Sequence, residues 1–239
     1  MIDIITHCWA GGMDQYGYLL QYQLHSVAAN APQKTRVRVN VCTAEEDTLT
    51  RSVVSQMREH LEIREHLFEL PDLMRRAIGR HQVAKDLSED SQLVWYTDCD
   101  YLFGEGCLDS VWDCYRLRTA RTAIMFPKTT MTNTTHKIGD DLIQQARNGV
   151  VEMPDPSLFM PKRNRHAIGG VQITPAEIAR EAGYLPAGNR YLKQVTNGKW
   201  QRCKGDVHWR KYMADYGATA RISLDGLFRI RHTENGRDG

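Results

Sequence analysis

The sequence predicts an α/β fold with a largely parallel sheet. Strand-like and helix-like segments alternate four times before residue 98, which is the order that βαβ units produce. The strand-like segments are rich in β-branched and apolar residues. Polar residues or glycines follow three of these strands, at 8–12, 43–46 and 98–100. Ligands gather at such carboxyl ends in open parallel sheets, so we expect a binding site there.

The first half of the chain supplies most of the predicted sheet. The first strand is expected over residues 1–8, and a helix over 15–29 is expected to be capped by Asp14 and ended by Pro32. The next predicted elements are a strand over 36–43, a helix over 45–59, a weakly patterned strand over 62–70, a helix over 73–87, a strand over 93–97, a helix over 107–118 and a strand over 120–126.

The second half is predicted to be less regular. Residues 127–165 are expected to be mostly loop, with a short helix at 140–147. The later predicted elements are a strand over 167–174, a helix over 177–182 started by Pro175, a long loop over 184–205, a helix over 207–216, an extended segment over 218–231 and a frayed tail over 233–239.

An acidic pair, Asp98 and Asp100, follows the apolar strand over 93–97. Carboxylates two residues apart at a strand end can lean to the same side where the chain turns. They repel each other unless a cation lies between them, and their oxygens suit Mg²⁺ or Mn²⁺, which can bridge a protein to a diphosphate. The pair predicts a metal site, although a short acidic pair can also simply cap a turn.

Composition is that of a globular protein, with 41% hydrophobic and 25% charged residues among 239. No apolar run approaches the ~20 residues of a membrane span, and the first residues lack the basic region of a signal peptide. The six cysteines include no C-x-x-C pair, so neither a zinc site nor a redox pair is indicated. We therefore expect a cytoplasmic protein with reduced thiols and no membrane span.

Charge is distributed unevenly. Residues 1–127 carry 13 basic and 18 acidic side chains, a net charge of −5, whereas residues 128–239 carry 18 and 11, a net charge of +7. The segment 160–212 alone has 11 basic and 3 acidic side chains, a net charge of +8. Such a segment attracts anions, and this excess is larger than one diphosphate requires.

Several motifs occur in an order that resembles the GT-A-type glycosyltransferases, in particular their large family 2-like group. The matching residues are Arg80 within Ile78–Ala84, the pair Asp98 and Asp100, Gly169–Gly170 before a strand, Asp206 at the start of a helix containing Arg210, and His232 after the last strand. The sequence departs from the family in three places. His81 replaces an asparagine, Gly205–Asp206 offers one acid instead of two, and the first strand end, Thr6–Trp9, lacks the usual proline.

The resemblance implies a GT-A-like, Rossmann-related fold, a mixed and mostly parallel sheet flanked by helices, forming a single domain over 1–239. Residues 1–127 would bind nucleotide sugar and metal, and residues 128–239 would hold the acceptor and end in a C-terminal lid. Arg80, Thr6, Cys8, Asp98, Gly169 and Gly170 would bind the donor, expected to be a UDP-sugar. Asp98, Asp100 and His232 would hold Mn²⁺ or Mg²⁺, and Asp206 would be the general base of an inverting transfer.

Each of these roles has a plainer alternative. Arg80 could be an exposed helix arginine, Asp206 a helix cap, Gly169–Gly170 a turn, and His232 a solvated side chain.

The acceptor is expected to bind an aromatic and basic surface. Its predicted residues are Trp200, Trp209, Arg202, Lys204 and Arg210, because aromatic faces stack on sugars or bases while cations bind phosphates. The excess positive charge suggests a polyanion, specifically DNA with hydroxymethylated bases such as 5-hydroxymethylcytosine, as in viral enzymes that glycosylate their genomes. Modifying a base in a duplex would require flipping it out, and a viral origin would place the protein in the host cytoplasm.

Other functions remain open from sequence alone. The acceptor could instead be a glycan, a lipid-linked molecule or a protein. A nucleotidyltransferase would use similar metal chemistry, and a non-catalytic nucleic-acid-binding module would explain the basic half but not the acidic pair. The sequence does not indicate the oligomeric state.

Overall fold

The computed structural model describes residues 1–184 and 205–233. Its strands are β1 (Ile2–His7), β2 (Val37–Ala44), β3 (Ile63–Phe68), β4 (Leu93–Tyr96), β5 (Tyr101–Phe103), β6 (Thr122–Pro127), β7 (Thr129–Asn133), β8 (Phe159–Arg163), β9 (Gln172–Pro175), β10 (Ala218–Ile222) and β11 (Leu227–Arg229). Its helices are α1 (Gln15–Ala29), α2 (Thr48–Met57), α3 (Leu70–Leu73), α4 (Ala77–Lys85), α5 (Cys107–Arg116), α6 (His136–Arg147), α7 (Ala176–Ala182) and α8 (Gly205–Tyr212).

The strands form two sheets. The larger has seven strands in the order β10-β6-β9-β4-β1-β2-β3, and the smaller has four in the order β5-β11-β7-β8. In the larger sheet only β9 is antiparallel to its neighbours, β4 and β6, while the other paired strands run parallel. The predicted α/β class, a mostly parallel sheet flanked by helices, is confirmed.

Strand β4 shows how the sheet divides the core. Leu93 and Trp95 belong to one buried cluster, whereas Val94 and Tyr96 belong to a second, because successive side chains of a strand point to opposite faces. All four residues are fully buried, and burying such side chains is the main favourable term in folding. Strand β4 is therefore rigidly held, and it delivers the acidic pair at its carboxyl end.

The cap predicted for α1 was wrong. The helix spans the predicted residues, but the side chain of Asp14 makes no capping hydrogen bond. Instead, Arg147 on α6 donates from Nε and Nη2 to the Asp14 carboxylate at 3.0 and 2.5 Å. Asp47 caps α2 by accepting from the Thr50 amide at 3.1 Å. A charged partner from another helix has thus replaced the local cap at Asp14.

The prediction of mostly loop over residues 127–165 was also wrong. This segment contains β7, β8 and a twelve-residue α6. Strand β7 is rich in threonine, and its partners β8 and β11 lie about thirty and a hundred residues away along the chain, so no local pattern announces the pairing. The predicted strand over 167–174 shortens to β9, and the extended segment over 218–231 divides into β10 and β11, which join different sheets.

The two predicted halves of the chain are interleaved in the structure. Strands β9 and β10 come from the second half but enter the larger sheet, and β5 comes from the first half but joins the smaller one. Within the described residues, no helix has the length and apolar character needed to cross a membrane.

Candidate functional site

The acidic pair lies in the short connection between β4 and β5. Gln23 on α1 shapes this connection, because its Nε2 donates to the main-chain oxygens of Asp98 and Tyr101 at 2.9 and 3.0 Å. On the other side, the amide of Ile230 donates to the Asp100 main-chain oxygen at 2.8 Å. The turn is therefore anchored by a helix and by the chain that follows β11.

Asp98 is held by two arginines. Its Oδ1 accepts from Nη1 of Arg76 and, at 3.2 Å, from Nη2 of Arg80. Arg80 is buried, with 3% of its surface exposed, whereas the Asp98 side chain is 18% exposed. The predicted exposed-arginine alternative for Arg80 does not apply. Two cations consequently border the Asp98 carboxylate.

Asp100 has one satisfied oxygen and one unsatisfied oxygen. Arg229 Nε donates to Oδ2 at 2.9 Å, and this carboxylate raises the pKa of the Arg229 guanidinium. The other oxygen, Oδ1, is buried and has no hydrogen-bond partner among the described residues. A buried carboxylate oxygen without a partner is costly, and a hard oxygen is the ligand that Mg²⁺ or Mn²⁺ prefers. The chemistry of Asp98 and Asp100 therefore fits a divalent ion.

His232 does not complete a metal shell in this structure. The described part of the chain contains no group of three or more His, Cys, Asp or Glu side chains placed to hold an ion. The His232 ring is 9% exposed and lies edge-on to Tyr16, with 5.8 Å between ring centroids. The ring packs against α1, and the role of His232 as a metal ligand stays a prediction.

The segment that would start the predicted lid is fixed to α6 and β7. The Arg231 amide donates to Asn133 Oδ1 at 2.6 Å, and the Thr233 amide donates to Asp140 Oδ1 at 2.9 Å. Gly139 permits this contact, since a Cβ there would lie 2.0 Å from the Arg231 main-chain oxygen. Residues 231–233 are thus held against α6 and β7, the predicted C-terminal lid stays a prediction, and residues 234–239 lie outside the described chain.

Four of the predicted site residues come together. A Cβ built on Gly169 would lie 3.7 Å from Arg80 Nη1 and 3.9 Å from the Cβ of Asp206. Arg80 in turn contacts Asp98. Asp206 lies in the first turn of α8 and is half-buried. Residues far apart in sequence therefore meet beside the acidic turn, with Gly169 between the arginine and the aspartate.

Gly170 has a packing role, and its predicted donor contact stays a prediction. A Cβ at this position would lie 2.2 Å from Tyr101 Cε2, so only glycine lets the two segments approach so closely. Its main-chain oxygen accepts from Trp95 Nε1 at 3.3 Å. Gly170 therefore packs closely against β4 and β5.

The carboxyl end of β1 is buried. Thr6, His7 and Cys8 are each no more than 3% exposed. The Cys8 sulfur accepts from Thr50 Oγ1 at 3.1 Å, so its side chain belongs to the core, and its donor contact stays a prediction. Thr6 Oγ1 and both ring nitrogens of His7 have no hydrogen-bond partner among the described residues. Burial, then the nearby Arg80 and Arg76, hold the pKa of His7 well below its usual value.

The predicted acceptor surface is only partly visible. Trp200, Arg202 and Lys204 lie outside the described residues. Trp209 is fully buried, its ring stacks on Tyr184 with centroids 5.1 Å apart, and its Nε1 donates to the Gly183 main-chain oxygen at 3.1 Å. This is a correction, because a fully buried indole cannot stack on an acceptor. Arg210 is half-buried on α8.

Sequence reasoning missed several residues of this site. Arg76 and Arg229 neutralise the acidic pair, and Tyr184 and Gln172 form hydrogen bonds beside Arg80. The double arginine Arg75–Arg76 before a helix was the one available signal. The remaining residues carry no local motif.

Solved structures with a similar fold were found. S. aureus TarS 1–349 in complex with UDP-GlcNAc superposes with a TM-score of 0.62 at 11% identity, covering 98% of this chain and 60% of that chain. A mannosyltransferase from Pyrobaculum calidifontis, in complex with GDP-Man and Mn²⁺, gives a TM-score of 0.55 at 13% identity, covering 96% of this chain and 56% of that chain. The chain has the GT-A fold.

These similarities are structural only. The chain spans about 60% of the length of the TarS 1–349 structures that it matches. No family model matches the chain, and no curated protein matches it by sequence. The predicted GT-A-like architecture is thus confirmed, while identities of 10 to 13% leave activity to be argued from the site.

Proposed function

We propose that this chain is a glycosyltransferase that moves a sugar from a nucleotide diphosphate donor to an acceptor hydroxyl. The observation that carries the proposal is the convergence of Asp98, Arg80, Gly169 and Asp206 beside the carboxyl end of β4, which is where ligands bind in such sheets. The similar folds support it, since TarS was solved with UDP-GlcNAc and the P. calidifontis protein with GDP-Man.

The donor diphosphate would bind at the acidic turn, with a UDP-sugar as our preferred donor. Asp98 and Asp100 would hold Mn²⁺ or Mg²⁺, which when bound supplies positive charge for the leaving diphosphate. The P. calidifontis structure contains Mn²⁺, which supports this choice. Arg76 and Arg80 contribute guanidinium groups at the same turn, and guanidinium groups pair well with phosphate oxygens.

Asp206 would act as the general base. The residue is half-buried, and its Cβ lies beside Gly169, which also lies beside the Arg80 guanidinium. A base in this position would remove the proton of the acceptor hydroxyl as that oxygen attacks the anomeric carbon. Attack from the face opposite the departing diphosphate inverts the configuration of the sugar.

A basic surface adjoins this site. Its residues are exposed and make no ion pair with any carboxylate of the described chain. Here called the basic patch, they are Lys128, Lys162, Arg163, Arg165 and His166. Asn164 holds these residues together, because its Nδ2 donates to Pro127 O and Thr130 Oγ1 at 3.0 and 2.9 Å. Only two residues separate His166 from Gly169 at the site.

The basic patch supports a polyanionic acceptor. Four unpaired arginine and lysine side chains next to the site would bind the phosphates of a nucleic acid. We therefore propose DNA carrying 5-hydroxymethylated bases as the acceptor, with the exocyclic hydroxyl as the attacking group and the target base flipped out of the duplex.

A donor screen with Mn²⁺ tests the reaction. Release of nucleoside diphosphate from one nucleotide sugar, increased by hydroxymethylated DNA and lost in Asp206→Asn, is the expected result. Release of pyrophosphate would instead identify a nucleotidyltransferase. If the chain binds DNA but shows no Mn²⁺-dependent donor binding, it would instead be a non-catalytic nucleic-acid-binding module.

Filter binding to duplex DNA at rising salt tests the acceptor. The double variant Arg163→Gln, Arg165→Gln is expected to bind more weakly and to lose about 0.9 units of salt-dependence slope for each phosphate contact removed. The matched control is Arg64→Gln, Arg116→Gln, which neutralises two exposed arginines on β3 and α5. No affinity at low salt, or equal affinities of the two double variants, would contradict the proposed DNA surface.

A further inference from the structure

A chain of buried side chains connects the donor-side carboxylate to the helix that carries Asp206. Arg80 Nη1 donates to Tyr184 Oη at 2.9 Å, and Tyr184 Oη donates to Gln172 Oε1 at 2.6 Å. Gln172 Nε2 then donates to the main-chain oxygen of Asp206 at 3.3 Å and to that of Ala167 at 3.2 Å. A second Arg80 nitrogen, Nη2, donates to Asp98 Oδ1 at 3.2 Å.

The direction of these hydrogen bonds is fixed by chemistry. A guanidinium can only donate, so the Tyr184 hydroxyl must accept from Arg80 and donate its own hydrogen onward. Gln172 must then present its oxygen to Tyr184 and its amide nitrogen to the two carbonyls. Reversing the Tyr184 hydroxyl or the Gln172 amide would leave a buried polar group without a hydrogen bond, which costs about 1–3 kcal/mol. The chain therefore has one stable arrangement.

Aromatic packing holds the middle of this chain in place. The Tyr184 ring stacks on Trp209 of α8 and lies edge-on to Tyr96 of β4, with centroids 5.1 and 4.9 Å apart. The Arg80 guanidinium lies 5.2 Å from the centroid of the Tyr184 ring. Tyr184 and Gln172 are 2% and 0% exposed, so neither side chain is accessible to a substrate.

We infer that Tyr184 and Gln172 are positioning residues that set the place of the Asp206 carboxylate relative to the Asp98 turn. Their hydrogen bonds connect β9, α4 and the start of α8, which bring together Gly169, Arg80 and Asp206. A displacement of about 1 Å at a reacting group can cost about 100-fold in rate. This inference rests on the proposed function only for the expected change in kcat. The hydrogen-bonded chain from Arg80 to Asp206 is a structural feature that does not depend on sugar transfer.

The test compares Tyr184→Phe with Tyr96→Phe. Both remove a hydroxyl from the same aromatic cluster, but the Tyr96 hydroxyl is buried without a hydrogen-bond partner among the described residues, so it is a matched control. In the transferase assay, Tyr184→Phe is expected to lower kcat about 10-fold to 100-fold with little change in the KM for the donor. Tyr96→Phe is expected to retain the kcat of the unmodified chain.

Kinetics of a Gln172 variant and amide hydrogen exchange test the same hydrogen-bonded chain. Gln172→Met should lower kcat as Tyr184→Phe does, and the double variant should lose little more than either single one, because both break the same chain. Amide hydrogen exchange of residues 205–209 should become faster in Tyr184→Phe and in Gln172→Met but not in Tyr96→Phe.

The outcomes separate this inference from the proposed function. Unchanged hydrogen exchange at 205–209 in both Tyr184→Phe and Gln172→Met overturns the inference, whether or not the protein transfers sugar. An active parent chain whose Tyr184→Phe and Tyr96→Phe variants have equal kcat values also overturns it. If the parent protein transfers no sugar, the proposed function fails. The exchange rates alone then show whether Tyr184 and Gln172 hold the start of α8.

Discussion

Arg229 donates to only one oxygen of Asp100, and the other oxygen of that carboxylate is buried without a hydrogen-bond partner among the described residues. Because Arg229 occupies one oxygen of Asp100, the other oxygen is available to a metal ion. Asp98 differs, since one of its oxygens accepts from both Arg76 and Arg80. The two acids of the pair are therefore not equivalent.

Asp100→Asn should remove most metal-dependent donor binding. We expect Mn²⁺-dependent affinity for UDP to fall by at least the 10-fold to 100-fold that even an outer partner of a metal ligand contributes. Calorimetric titration with UDP in the presence and absence of Mn²⁺ measures it. Asp113→Asn is the control, since that carboxylate lies on α5 and pairs with Lys34. Equal affinities of the two variants would exclude Asp100 as a ligand.

Gly139→Ala should destabilise the chain by about 1–3 kcal/mol, the usual cost of forcing extra atoms into a packed site. The added Cβ would lie 2.0 Å from the Arg231 main-chain oxygen, so the clamped end of residues 231–233 must move. Urea unfolding measures the loss. Gly12→Ala is the control, because a Cβ there meets no atom within 4 Å. A Gly139→Ala variant as stable as Gly12→Ala would contradict the clamp.

Trp209→Ala should cost about 3–5 kcal/mol of stability, as expected for removing a large buried aromatic side chain. The residue is fully buried against Tyr184 and Tyr96. Trp112→Ala is the comparison, since that ring is half-buried on α5. Should Trp209→Ala retain its stability and lose only acceptor binding, the original prediction of an exposed stacking residue would be restored.

His7 should make the folded chain sensitive to mild acid. Its folded-state pKa lies well below the ordinary value of 6.5 because of burial and of Arg80 and Arg76, while Asp98 acts in the opposite direction. The unfolded chain therefore binds an extra proton below about pH 6.5, and stability falls there by up to about 1.4 kcal/mol per pH unit. Above pH 6.5 the contribution is constant.

Unfolding free energies at pH 7.5 and pH 5.0 test this. The parent chain should lose more stability between the two pH values than His7→Leu does. Burial also lowers the pKa values of His66 and His81, but both remain in either protein and cancel in the comparison. His25→Gln, at an exposed position, should behave as the parent. A His7→Leu variant with the parent's pH dependence would contradict the assignment.

The sequence was sufficient for the sheet class and for the position of the acidic pair after β4, because strong strand patterns and the carboxyl-end rule for parallel sheets carry those predictions. Arg80, Gly169 and Asp206 were singled out only by the resemblance to GT-A-type glycosyltransferases, and their roles stay predictions. The sequence was insufficient for the side chains that neutralise the acids. Arg76 and Arg229 lie 22 and 129 residues from their partners, and a salt bridge over such distances has no local signature.

The errors have a common physical origin. A tryptophan among basic residues suits both an exposed binding surface and a buried helix face, and tertiary packing against Tyr184 decided the case of Trp209. Strands β5, β7 and β8 are only three to five residues long. Their pairing comes from distant partners, so hydrophobic periodicity could not reveal them.

Strand β9 fills the gap between β4 and β6 in the larger sheet. As the ribosome extends the chain, both flanking strands emerge some fifty to eighty residues before their common neighbour. Until then, their edges, lined by apolar residues such as Trp95 and Met125, have unpaired amides and carbonyls. Unpaired strand edges of this kind promote aggregation. A nascent chain of this protein is consequently expected to need chaperone protection until β9 has been synthesised.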